Sequence, residues 1–356
     1  MKTGRDISQL ADEIIRQRGS ARDFIAPTSQ LSLSTGFSGS SAIEVELPDG
    51  PQLFPMSRHA HGQIAGRLDI PKRFYDDLGE NHPKVRDRLV NELWQERDEK
   101  RLLRTLDGQA RAFLSDRFRP IDNFMIAEAV LPILGGRDDM KIQSAEVTDR
   151  RLYIKATFSS ITRQISVGDV LHSGISIRNS EVGCGAFDVS LLVYRLVCEN
   201  GMIGESTLRR NHVGSRIGNG EDAAAEFFSN ETRRADDRAL SLKIQDVTRA
   251  AINDDSFNST VDRILAARDE KIEGDLPKVV EDVSKRFSFN SSEQSGVLRH
   301  LIEGGDLSRW GMVNAVTRAS QDVSDYDRAT DLERDGGKIL ELPARSWADI
   351  VNGNNN

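Results

Sequence analysis

Apolar positions along the chain follow two periods in turn. Ile7, Leu10, Ala11 and Ile14 stand at i, i+3, i+4 and i+7, the spacing of one buried helix face, and Gly19 and Ser20 end that run. The Ser-, Thr- and Gly-rich stretch from Thr28 to Ala42 reads as a loop or flexible arm. Ile43, Val45 and Leu47 then alternate with Glu44 and Glu46, a strand signal stopped by Pro48, Asp49 and Gly50. Short helices are expected from His61 to Leu68 and from Pro71 to near Leu78, since proline is tolerated in a first helical turn. A longer helix from near Lys84 to Glu99 puts Val85, Leu89 and Leu93 on one side.

Period two then takes over. Arg101 to Leu106 and Gln109 to Ser115 flank Asp107-Gly108, a strong hairpin turn, and a helix follows Asn123 through Leu131. Leu152, Ile154 and Ala156 alternate with Tyr153, Lys155 and Thr157. Val170 to Arg178 and Ala186 to Val197 read as strands, with Asn200-Gly201 as a second hairpin turn and a basic, Gly-rich loop from Gly204 to Gly220. From Glu221 to Leu340 the pattern is helical. Ile244, Val247 and Ala251 share one face, as do Val261, Ile264 and Leu265. Ser291 and Gln294 suggest a capping box, and Asp306 a cap for the helix with Leu307, Trp310 and Val313. The expected fold is α+β: an antiparallel, sheet-rich unit with flanking helices over 1–220, a helical unit over 221–345 and a flexible tail over 346–356. The helical unit either stands alone or wraps the sheet and completes its core.

Composition narrows the class. The 356 residues are 38% hydrophobic and 29% charged, ordinary for a folded globular protein. No run approaches the roughly 20 apolar residues of a membrane helix, and the first residues carry no apolar leader. Cys184 and Cys198 are too few for a disulfide framework and read as reduced thiols, so a soluble, cytoplasmic protein is expected. The net charge of −8 argues against nucleic-acid binding by the whole surface and leaves room for a local basic groove.

Catalytic and cofactor signatures are weak, and neither cofactor nor bound metal is expected. There is no Walker-type phosphate loop; Gly183-Cys184-Gly185 begins a dinucleotide fingerprint but reaches Asp188 and a strand, where glycine and a helix are needed. His59 and His61, or Cys184, Cys198, His172 and His212, would have to converge to hold a metal, and no His-Glu-x-x-His or Cys-x-x-Cys brings them together. Asp49 with Asp98-Glu99-Lys100 formally matches a magnesium nuclease pattern, but on a charged helix rather than a strand. Arg58 to Leu78 has a helix-turn-helix flavour, against which Pro71 and Asp76-Asp77 weigh.

Local basicity in an acidic chain is the more informative feature. Lys100, Arg101, Arg104, Arg111, Arg117 and Arg119 fall in one hairpin and its exit; Arg111 and Phe113 share a strand face, as do Tyr153 and Lys155. Arg195 lies on the long strand, and Arg209, Arg210, His212 and Arg216 follow the second turn. Arginines that neutralise phosphates beside Phe113 and Tyr153 rings that stack on bases are what single-stranded DNA needs. The bland counterpart is a solvated face whose arginines pair with the many carboxylates.

The run from Leu192 to Met202, with Arg195-Leu196-Val197-Cys198 and a short Asn-containing turn, then Arg209-Arg210-Asn211-His212-Val213-Gly214, resembles the phage- and plasmid-encoded family called domain of unknown function 932. Arg111 to Asn123, with Phe118 in the aromatic place, is similar to that family's Ser-x-Arg-Tyr stretch; Ser57-Arg58-His59-Ala60 is a weaker match. The resemblance spans roughly Phe54 to Gly220. It implies a phage or mobile-element setting and, by association, a noncatalytic single-stranded DNA-binding or annealing protein working as a homo-oligomer. A noncatalytic phage assembly module is the alternative, and the magnesium nuclease a second.

Overall fold

A computed structural model describes residues 1–36, 39–47, 50–211, 230–252 and 254–353. The elements are α1 (Ile7–Ser20), β1 (Arg22–Pro27), β2 (Leu31–Thr35), β3 (Ser41–Leu47), β4 (Gly50–Pro55), α2 (Arg58–Arg67), α3 (Lys72–Asn81), α4 (Pro83–Glu96), β5 (Lys100–Leu106) and β6 (Gln109–Ser115). There follow α5 (Asn123–Gly135), β7 (Met140–Val147), β8 (Leu152–Ser166), β9 (Asp169–Asn179), β10 (Phe187–Arg195) and β11 (Asn200–Arg210). The last described helices are α6 (Asn230–Ala251), α7 (Asp254–Asp269), α8 (Leu276–Phe287), α9 (Ser291–Gly304), α10 (Arg309–Ala319), α11 (Tyr326–Glu341) and α12 (Ala344–Val351).

The fold is α+β, with antiparallel sheets in the first 210 residues and helices after them. β7 to β11 form a five-stranded sheet in chain order, and two three-stranded sheets have the orders β1-β5-β6 and β2-β3-β4. The Asp107-Gly108 turn forms as expected, with positive φ at both residues. Elsewhere local signals shift. Leu31 and Leu33 alternate with serines and make β2 inside the expected loop. The second hairpin turns at 196–199, with Glu199 at φ 50°, so Asn200-Gly201 opens β11 instead. Asn290 and Glu293 form the capping box, one residue before the expected pair, and Ser308 rather than Asp306 caps α10. α12 forms within the expected tail because Trp347 and Ile350 are buried. The expected loop from Gly204 is strand through Arg210, because β11 pairs with β10 over that stretch; its remainder with His212 and Arg216, the expected boundary at 214–220, Pro48-Asp49 and residues 354–356 lie outside the described residues.

Two hydrophobic clusters divide the described residues, and not near residue 220. The smaller draws on Ala26 to Phe113, with Ile64, Trp94 and Leu103 at its centre. The larger joins Leu10 and Ile14 of α1 to residues from Ile121 to Ile350. The helices after β11 therefore complete the core of the five-stranded sheet. One face of that sheet is apolar, with Ile154, Ile175, Ile177, Val189 and Leu191 buried. The other face is polar and lies under α11.

Two adjacent glycines set how closely α11 approaches. A Cβ on Gly337 would stand 2.1 Å from the Ile203 carbonyl oxygen of β11, and one on Gly336 would stand 2.5 Å from Thr317 of α10. Gly337→Ala should therefore cost about 1–3 kcal/mol by overpacking. Gly66→Ala in α2, where a Cβ meets nothing within 4 Å, should add up to about 1 kcal/mol instead. Urea denaturation of the two variants checks the contrast.

Candidate functional site

Most of the arginines singled out in the sequence are committed to the protein's own carboxylates. Arg104, 3% exposed, donates to Asp23 and Asp122 (2.9 Å each) and to the Glu181 carbonyl (2.9 Å). Arg111 donates to the Glu181 carboxylate at 2.9 Å. His59 and Gln63 both reach the Val182 carbonyl, at 2.9 and 2.8 Å. Together these contacts clamp the segment around Glu181 against the smaller unit. Arg195 grips Asp169 through two 2.7 Å bonds. Arg101 is buried against Glu99, and burial lowers its guanidinium to about 10. Phe113 is buried and stacked on Trp94, ring centroids 5.6 Å apart. Arg117 is exposed, Arg209 is exposed, and Arg210 lies 3.9 Å from Asp236. The hairpin and long-strand residues thus do not converge with β8 on one open basic platform.

Tyr153 and Lys155 do share a face, but an interior one. The Tyr153 hydroxyl donates to Asp327 at 2.9 Å; Lys155 donates to Glu333 at 2.6 Å and to Thr330 at 2.8 Å, and both Lys155 and Glu333 are fully buried. Burial pulls the Lys155 ammonium below its ordinary value even with Glu333 beside it, and pushes the Tyr153 phenol up. Neither ring nor ammonium is presented to a ligand in this fold, which corrects the expected role of Phe113, Tyr153 and Lys155. The physical reason is α11: its Asp327, Thr330 and Glu333 recur at helical spacing and cover the polar strand face.

Where α11 runs on past Lys155, the polar face opens into a cleft of about 510 Å³. Its floor is a cross-strand row of Arg178 on β9, Asp188 on β10 and Arg209 on β11. Asp188 is 1% exposed and accepts from Arg334, Ser190 and Ser206. Burial pushes its carboxyl up, but Arg334 and the hydroxyls outweigh that and hold it below the ordinary value. Arg178 comes no closer than 4.0 Å to Asp331, and burial lowers its guanidinium. The Nε atoms of Arg178 and Arg334 are buried without a hydrogen-bond partner among the described residues. Arg178, Arg209, Arg328 and Arg334 thus share this cleft with Asp188, Asp331 and Asp335.

Further along α11 the cleft carries Lys338, paired with Asp335, and then two carboxylates. Glu205 on β11 and Glu341 at the end of α11 have no ion-pair partner among the described residues. Burial, together with the Glu205 charge, raises the Glu341 carboxyl against smaller pulls from Arg263 and from the Glu205 backbone N–H, which donates to it. Phe287, at the end of α8, is half-buried and forms part of the wall. Arg178, Asp188, Arg334, Glu205 and Glu341 escape a search for basic runs. The available signal was polar residues at every second position of strands whose other positions are apolar: Lys155 beside Tyr153, Ser176 beside Arg178, Ser190 beside Asp188.

The other motifs disperse. No group of three or more metal-ligating side chains comes together among the described residues. His61 turns to the Tyr75 hydroxyl at 2.8 Å, away from His59. The Cys184 sulfur lies 3.4 Å from His59 Nε2, whereas Cys198 sits by Arg195. Asp98 accepts from the Ser29 amide at 3.0 Å and so ties the chain after α4 to the segment before β2. The α2–α3 pair forms, with Tyr75 and Leu78 of α3 buried and Lys72 paired to Asp76. No described helix is long and apolar enough to cross a membrane.

The family model described as Domain of unknown function (DUF932) matches residues 112–337, a span that holds the five-stranded sheet and α11 up to Gly337. No curated protein and no solved structure matches the chain.

The Lys155–Glu333 pair carries a measurable consequence. Glu333→Gln or Lys155→Met alone should cost about 3–5 kcal/mol, because each leaves a buried charge unpaired. Lys155→Met combined with Glu333→Leu should recover most of that loss, and a double-mutant cycle by denaturation measures the coupling.

Proposed function

The chain belongs to the domain of unknown function 932 family, and on that premise we propose that it is a noncatalytic binding protein for single-stranded DNA, whose phosphates enter the cleft between the polar sheet face and α11. The observation that carries this reading is the row of Arg178, Asp188 and Arg209 with Arg334 above it, guanidiniums gathered on one cleft with Arg209 exposed to solvent. Arginine in a partly desolvated site presents a planar fork of donors that matches phosphate oxygens. The family's description names no activity, so the weight rests on the cleft. In the same reading the protein acts in phage or mobile-element recombination in the host cytoplasm and assembles as a homo-oligomer on the strand.

Arg209 is the residue to test, because it is exposed and its removal should leave the fold intact. Anisotropy of a labelled single-stranded oligonucleotide across a salt series, with duplex as control, should show binding that weakens steeply with salt. Arg209→Ala should lower affinity several-fold and flatten the log–log salt slope by about 0.7 for each phosphate no longer neutralised. Arg210→Ala should do less, since that guanidinium leans toward Asp236. Wild-type protein that ignores the oligonucleotide at low salt would sink the proposal and favour a protein partner.

A further inference from the structure

A second pocket, of about 100 Å³, lies in the smaller unit and shares no residue with the cleft. It forms where the last turns of α2 and α4 meet the first residues of β5. Leu68 and Arg97 stand at those helix ends, and the carbonyl ends of helices favour cations, which accounts for Arg67 and Arg97. Thr28 covers part of the α4 end, its hydroxyl 3.2 and 3.0 Å from the Trp94 and Arg97 carbonyl oxygens. Arg101 is placed differently. It rises from β5 with 6% exposure and lines the pocket beside Trp94, which is 1% exposed.

The charges around the pocket do not balance. The guanidiniums of Arg67, Arg97 and Arg101 stand against the carboxylates of Asp69 and Glu99. Glu99 is shared: Arg67 donates to it through Nε at 2.9 Å, and Arg101 pairs with it as well. Asp69 is exposed and stands 4.0 Å from Arg97. Burial, and after it the Arg67 charge, lower the Arg101 guanidinium to about 10, as expected of a cation short of negative charge. Arg101 Nε and Trp94 Nε1 are buried without a hydrogen-bond partner among the described residues. Other arginines and tryptophans of this chain also keep such an Nε, but here two side chains more than nine-tenths buried line the same pocket. A buried donor without an acceptor is costly, so both call for one.

Water could accept from either donor but brings no charge, and a metal ion brings the wrong sign. The volume is well under the roughly 300–1,000 Å³ of pockets that take drug-sized ligands, which limits the ligand to a few heavy atoms. We propose that this pocket binds a small oxyanion, a phosphate group, held by Arg101 and Trp94 within and by Arg97 at the mouth. The guanidinium fork and the indole N–H donate to its oxygens, and its charge offsets the excess guanidinium. Free phosphate and the phosphate at the end of a nucleic-acid strand present the same chemistry. The site stands independently of strand binding in the cleft.

The test follows the indole N–H resonances of isotope-labelled protein as inorganic phosphate is added at constant ionic strength. Trp94→Phe assigns the Trp94 resonance, and Trp310 and Trp347, which do not line the pocket, serve as internal controls. The Trp94 resonance should move saturably while the other two stay in place. Arg101→Lys, which keeps the charge and loses the fork, should weaken binding by roughly tenfold or more, the worth of one charge-assisted hydrogen bond. Arg97→Ala, at an exposed position, should weaken it several-fold without disturbing the fold, and Arg209→Ala in the cleft should leave it unchanged. Displacement of phosphate by a thymidine dinucleotide with a 5′-phosphate, and not by one with a 5′-hydroxyl, identifies a strand end as the source; a response to inorganic phosphate alone identifies the free ion. A Trp94 resonance that does not move, or that moves alike in the wild type and both pocket arginine variants, overturns the proposal and leaves the cleft reading standing.

Discussion

A sheet that is apolar on one face and charged on the other must find a cover for each, and the charged cover is the harder to supply. Lys155 stands in the middle of β8 with no exposure to solvent, and its ammonium donates to Glu333 and Thr330 on α11. Desolvating such a pair is expensive, and hydrophobic residues of the same volume would serve stability at least as well. What the pair provides is register. Glu333 can meet Lys155, and Asp327 can meet Tyr153, only with α11 at one position and one rotation. Gly336 and Gly337 then let the next turn press against α10 and β11. Everything beyond that point, the cleft included, takes its shape from where these contacts leave the helix.

The same logic explains why a count of basic residues is a poor guide here. In an acidic chain each arginine on a strand has carboxylates within reach, and the fold uses them. Arg104 bridges Asp23 and Asp122; Arg111 takes Glu181; Arg195 takes Asp169. These contacts join sequence-distant elements, so local pattern could not assign them. Arg178 and Arg334 look no more basic in sequence than the others. They differ in place rather than in pairing: Arg101 and Arg111 also keep a buried Nε without a partner, but Arg178 and Arg334 line the cleft.

Legibility followed the range of the interaction that decides each element. The alternation from Leu152 to Thr157 named β8 and both its faces, because period two is a local property. The Asp107-Gly108 turn was equally local, since both residues must adopt positive φ. Asn200-Gly201 misled for the opposite reason: tertiary pairing of Tyr194 with Gly201 and Arg195 with Asn200 drew those residues into the ladder and moved the turn to 196–199. The family resemblance was legible over its motifs, yet Arg195 and Cys198 within them serve the fold's own contacts. The polar face of the sheet was visible as alternation, but its partner lies some 175 residues on, in a helix whose charges resemble any solvated surface.

A division of labour follows between the two ends of α11. Near Tyr326 and Glu333 the polar groups are paired with one another and buried, so they hold the helix and are closed to a ligand. On the cleft side of α11 the pairing is thinner: Asp188 is shared, Arg178 stands 4.0 Å from Asp331, and Glu341 forms no ion pair among the described residues. A guanidinium already stripped of water gains more from an incoming anion than a solvated one does, since much of its desolvation cost was met on folding. The rigid half of the helix thereby sets the geometry in which the under-paired half can select a ligand.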